Sequence, residues 1–233
     1  MGQYYIPVNL SKREYFNPYA GLKLMEHSWC YNNTTNHFMN LMYSSWYGDN
    51  IAWVGDYTDD FLFQDMFEDK PSDTNLYIYA EDNFKFVGLN KGWEDRTYSD
   101  WGDKYKIIKK IKRMNVFINF DKKLYINLSS MPKTVSYYKN GWGFDTKDYT
   151  QEQLDSMVQS KEIVKRESRI FAPSLLLCTS NGRGGGDYRG VYEEDCGLWM
   201  GDSVGVLCSK DECKMRIPNW NEFKEFKPRF VEY

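Results

Sequence analysis

"WYGDNIAWV" (residues 46–54) and "WMGDSVGVL" (residues 199–207) decide how this chain is read. Each sets a Trp-x-Gly-Asp turn before an apolar run of strand length. "LKLM" (22–25) precedes the first and "LLLC" (175–178) precedes the second. Leu22 and Leu175, Leu24 and Leu177, Trp46 and Trp199, Gly48 and Gly201, Asp49 and Asp202 are all 153 positions apart. A shared offset over two separated motifs predicts two copies of a strand–connection–strand unit, 22–57 and 174–207, with residues 60–170 inserted between them.

The remaining elements are read outward from there. "YYIPVNL" predicts a first strand, with Pro7 favouring a sheet edge. "LKLMEHSW" (22–29) predicts a strand, and "TTNHFMNLMYS" predicts a short helix with Phe38, Met39, Leu41 and Met42 on its apolar face. "TDDFLFQDMFED" (58–69) reads as a helix capped by Thr58, with Asp59 and Asp60 in its first turn. "NLYIYAEDNFKFVGL" reads as a hairpin, residues 88–103 as a loop, and "NVFINFDKKLYINLSS" as the clearest hairpin. "TQEQLDSMVQSKEIVKRES" reads as a helix, with Thr150 and Gln153 forming a capping box. The tail after Pro218 reads as an arm or short helix. Strands and helices mix without regular βαβ alternation. The expected class is α+β, a mixed or antiparallel sheet with a few short helices. No Gly/Ser-rich linker divides the chain, which implies a single domain over 1–233.

Composition narrows function. The 233 residues carry a formal net charge of −3, and 18% are aromatic. An acidic balance argues against general nucleic-acid binding. The basic segment "KYKIIKKIKR" (104–113) is the local exception and reads as a solvated face, with a phosphate or acidic-partner contact as the alternative. The five cysteines are irregularly spaced, and only His27 and His37 could join them, so neither a disulfide framework nor a closed zinc site is expected. No apolar run reaches the ~18 residues of a membrane span, and the N-terminus lacks a charged n-region. These features predict free thiols, a cytoplasmic location and no membrane contact.

"NGRGGGDYRG" (181–190) stands in the second copy where the first has its helix. It lacks the Lys-Ser/Thr of a P-loop and the spacing of a dinucleotide fingerprint. A turn that simply needs glycine, or a catalytic loop, accounts for the stretch as well, but its glycines can also form an anion nest, with Arg183, Gly184, Gly185, Gly186, Asp187 and Arg189 as candidate anion- or partner-binding residues. Asp49 and Asp202 are candidate paired carboxylates if the two copies meet about an axis, although turn chemistry also accounts for them. Glu26 and His27 occupy successive strand positions and so face opposite ways. Trp46, Trp53 and Trp199 are expected in the core. No nucleophilic triad, metal set or cofactor motif emerges, so no catalytic residue and no cofactor is expected.

"MGQYYIPVNL", "GLKLMEHS", "WYGDNIAWVGDY", "FINFDKKLYINL" and "NGRGGGDYRG" together resemble an uncharacterised family of phages and mobile elements of low-GC bacteria. The resemblance covers nearly the whole chain. Members often carry a histidine in the central hairpin where this chain has Phe120, which argues against a catalytic histidine there. The resemblance implies a phage or mobile-element origin. Accessory proteins of such elements often inhibit host defence, so a non-enzymatic, anti-CRISPR-like inhibitor of a host protein complex, such as a defence nuclease, is the leading expectation. The alternative is an enzyme or sequestering pocket that holds a nucleotide-like anion on residues 181–190.

Overall fold

The computed structural model describes residues 3–17, 23–24, 28, 30, 33–88, 113–140, 142–179 and 193–230. It is an α+β structure built on a mixed eight-stranded sheet. The strands are β1 (Tyr5–Asn9), β2 (Glu14–Tyr15), β3 (Asp49–Gly55), β4 (Lys85–Phe86), β5 (Val116–Asn119), β6 (Leu124–Asn127), β10 (Ser203–Leu207) and β11 (Lys224–Glu225), in the order β11-β6-β5-β10-β3-β1-β2-β4. A second, antiparallel sheet joins β7 (Lys133–Lys139), β8 (Trp142–Gly143) and β9 (Val164–Arg169).

The large sheet is apolar on both faces because its strands alternate with period two. Ile51 and Trp53 of β3 enter one cluster, while Ala52 and Val54 enter another. The first face is covered by α1 (Asn33–Tyr43) and α4 (Ala172–Leu177). On α1, Phe38, Met39, Leu41 and Met42 recur at helical spacing and are buried. Burying each such side chain contributes about 1.5–3 kcal/mol. On the opposite face, α2 (Leu76–Asn83) packs against β1 and β3, and α5 (Lys210–Arg216) packs against β5 and β10. The helix α3 (Gln151–Gln159) places Leu154 against Tyr137 of the small sheet, and Thr150 and Gln153 form its expected capping box. Trp46, Trp53 and Trp199 lie in the core as expected.

Several local expectations are corrected. Leu24 has helical backbone, and Leu175 and Leu177 lie in α4, so these three echoed leucines lie on helix rather than strand, while Leu22 lies outside the described residues. The second expected hairpin is instead α2: Asn75 accepts from the Ile78 amide, and Leu76, Tyr79 and Ala80 are buried at helical spacing. Residues 58–69 form successive turns with one short 3₁₀ segment, because Phe63 takes a left-handed conformation (φ 61°) that no α-helix allows. Lys161 (φ 61°) likewise ends α3, and Val164 continues as strand β9. The tail is a 3₁₀ turn, Trp220–Glu222, followed by β11. β1 is an interior strand. Pro7 is tolerated because its carbonyl faces Phe16, so its nitrogen faces the same way, where β2 has already ended. Residues 104–112, like His27, lie outside the described residues.

Candidate functional site

The middle of the large sheet is a short ladder between β3 and β10, with Asn50 opposite Ser203 and Asp49 opposite Val204. Two turns flank it and make matching hydrogen bonds. After β1, Asn9 Oδ1 accepts the Lys12 amide at 2.9 Å and Asn9 Nδ2 donates to Asp49 Oδ2 at 2.7 Å. After β5, Asn119 Oδ1 accepts the Lys122 amide at 2.8 Å and Asn119 Nδ2 donates to Asp202 Oδ2 at 2.6 Å. Lys12 pairs with Asp49 at 2.7 Å, and Lys122 pairs with Asp202. Gly48 (φ 83°) and Gly201 (φ 78°) take the same left-handed conformation just before each aspartate.

Asp49 and Asp202 therefore sit at the starts of adjoining strands, on either side of the ladder. Each carboxylate is neutralised by its own lysine and hydrogen-bonded by its own buried asparagine. This arrangement ties each aspartate into its own turn through one carboxylate oxygen, Oδ2. Among the described residues, no group of three or more His, Cys, Asp and Glu is placed to hold a metal ion. The five cysteines are free thiols, and no described helix is long and apolar enough to cross a membrane. Burial pushes the Cys30 thiol up to about 12, too high for a nucleophile at neutral pH. Arg183, Gly184, Gly185, Gly186, Asp187 and Arg189 lie outside the described residues.

Among the described residues, the segment after β3 combines dense negative charge with exposed apolar side chains. Residues 56–84 carry nine Asp and Glu and one Lys, a formal −8. The whole chain is −3, so the remainder is positive by 5. Asp60, Asp65, Glu68 and Asp73 are exposed and form no ion pair among the described residues. Among these carboxylates stand large apolar side chains: Phe61 is 72% exposed and Met66 47%, and Tyr57 is also exposed.

The segment is held from beneath. Lys70, the one cation, is only 2% exposed, and its ammonium donates to the carbonyls of Asp60 (2.5 Å), Thr74 (2.7 Å) and Pro71 (3.3 Å). These three N–H groups tie the two ends of the turn series together. Phe67 is buried with Tyr79 and Phe84, and the Arg13 guanidinium lies 5.2 Å from its ring centre. Arg13 also grips Asp69 with two hydrogen bonds of 2.9 Å, which hold that carboxyl down at about 2. Phe63 reaches the central turn, where a Cβ on Gly201 would fall 2.9 Å from its ring. Phe61 and Met66 are thus displayed on an ordered scaffold. Comparisons with protein-family models, with curated proteins and with solved structures find no match for this chain.

Proposed function

We propose that this chain is a non-enzymatic binding protein of phage or mobile-element origin that inhibits a host defence complex in the bacterial cytoplasm. One observation carries the reading: exposed Phe61 and Met66 are held among exposed carboxylates by a buried lysine clamp. Exposed apolar side chains in an ordered, charge-rimmed surface are the mark of a contact site. Order matters because a surface fixed before contact loses less entropy on binding. The candidate carboxylates at the sheet centre each engage an asparagine and a lysine of a neighbouring turn, Asn9 with Lys12 and Asn119 with Lys122, which favours scaffold over catalysis. The phage setting comes from the sequence resemblance.

The test is stoichiometric. The chain is titrated against a purified defence nuclease from a susceptible host, and cleavage of its target is followed. Inhibition that is complete at one chain per complex supports an inhibitor that binds. Inactivation by far less than one equivalent shows turnover and overturns the reading in favour of an enzyme.

A further inference from the structure

We infer that residues 57–73 dock on a protein surface rich in Arg and Lys, of the kind that binds nucleic-acid backbone. Phe61 and Met66 are the apolar anchors, and Asp60, Asp65, Glu68 and Asp73 are the surrounding charge. This rests on the binding reading and names the class of partner.

The argument begins with charge segregation. A formal −8 is concentrated in 29 residues of a chain that is otherwise positive by 5. Such a field raises the association rate with a basic surface and repels an acidic one. It also excludes nucleic acid itself as the occupant, since phosphates would meet carboxylates. Charge alone would give weak, salt-sensitive contact. Phe61 and Met66 add what charge lacks, because apolar area removed from water inside a polar rim supplies most of the affinity of a typical interface. Met fits irregular surfaces, and the Phe face also receives guanidinium groups. The Lys70 clamp and the Arg13–Asp69 pair keep the anchors presented without a partner.

The experiment uses the full chain and two labelled peptides of equal charge, one alternating Arg with Leu and the other alternating Arg with Gly. Fluorescence anisotropy gives Kd at low and at physiological salt. The Arg/Leu peptide is expected to bind about tenfold more tightly than the Arg/Gly peptide. Phe61→Ser with Met66→Ser removes that advantage while keeping the salt dependence. Asp60→Asn, Asp65→Asn, Glu68→Gln and Asp73→Asn together weaken both peptides and flatten the salt dependence. These side chains are exposed, so the variants keep the parent melting temperature, and thermal unfolding verifies this. Equal binding of the two peptides by the parent, or an unchanged preference after loss of both anchors, overturns the docking surface. Tight binding of a DNA duplex by the parent also overturns it. If the peptides fail while nuclease inhibition remains equimolar, the binding function stands and this surface is not its site.

Discussion

Replacing Lys70 with Met tests whether the acidic surface is a built structure. The substitution keeps the apolar stem of the side chain and removes only the ammonium. In the native protein that ammonium donates to the carbonyls of Asp60 at 2.5 Å and Thr74 at 2.7 Å, with a longer contact to Pro71 at 3.3 Å. A hydrogen bond from a charged donor contributes about 1.5–3 kcal/mol net. The two short bonds dominate. The freed carbonyls regain some water at the surface, which offsets part of the loss, leaving about 2–4 kcal/mol. A chain of this length loses roughly 2–4 °C of Tm per kcal/mol, so Lys70→Met should lower Tm by about 5–15 °C. Urea unfolding should show a lower midpoint with an unchanged slope. Limited proteolysis should cut first within residues 57–73, since those turns lose their tie. A Tm within about 2 °C of the parent, together with an unchanged cleavage pattern, refutes the clamp.

Other predictions follow the same geometry. Asn9→Ala and Asn119→Ala each remove the acceptor of a turn amide and a donor to an aspartate, and each should cost about 1–3 kcal/mol by urea unfolding, with the two values similar because the bonds match. Gly201→Ala should cost more than Gly48→Ala: both strain a left-handed backbone by about 1–2 kcal/mol, but only at Gly201 would the new methyl press on Phe63. Burial holds the His37 imidazole below its ordinary 6.5, with its Nε2–H donating to the Val87 carbonyl only partly opposing this. The unfolded chain takes up that proton below about pH 6.5 while the folded one resists, so His37 contributes stability fully present above that pH and lost as pH falls. His37→Gln should flatten the fall in Tm between pH 7 and pH 5.

What was legible in the sequence depended on whether local and tertiary signals agreed. The β5–β6 hairpin was readable because two apolar, β-rich runs flank a polar turn, and α3 because Thr150 and Gln153 announce its start. The helix α2 is hidden in the sequence because "LYIYA" alternates like a strand. Its true signal was the Asn75 cap with Leu76, Tyr79 and Ala80 at helical spacing. Residues 58–69 carry a strong helix start, which the left-handed Phe63 overrides, and nothing local in "FLFQ" foretells that angle. The central turn was half legible. The offset of 153 found Gly48, Asp49, Gly201 and Asp202, but not their asparagine partners. A second offset, of 110, links Asn9, Lys12 and Tyr15 in "VNLSKREY" with Asn119, Lys122 and Tyr125 in "INFDKKLY", and it would have supplied them. The acidic surface is visible as a run of nine acids with one base, but the helix expected over 58–69 does not say which apolar side chains face water. Lys70 is the least legible residue of all, because a lone lysine among acids reads as a solvated charge and its burial arises only from the turns around it.

Hydrogen–deuterium exchange on the complex between this chain and the defence nuclease it is proposed to inhibit tests the central claim most directly. Free chain and complex are digested and compared peptide by peptide at one equivalent of partner. The account predicts that protection gained on binding centres on residues 57–73, and that Phe61→Ser with Met66→Ser abolishes it. Protection concentrated on residues 181–190 or on the β7–β9 sheet, with exchange at 57–73 unchanged, would contradict it.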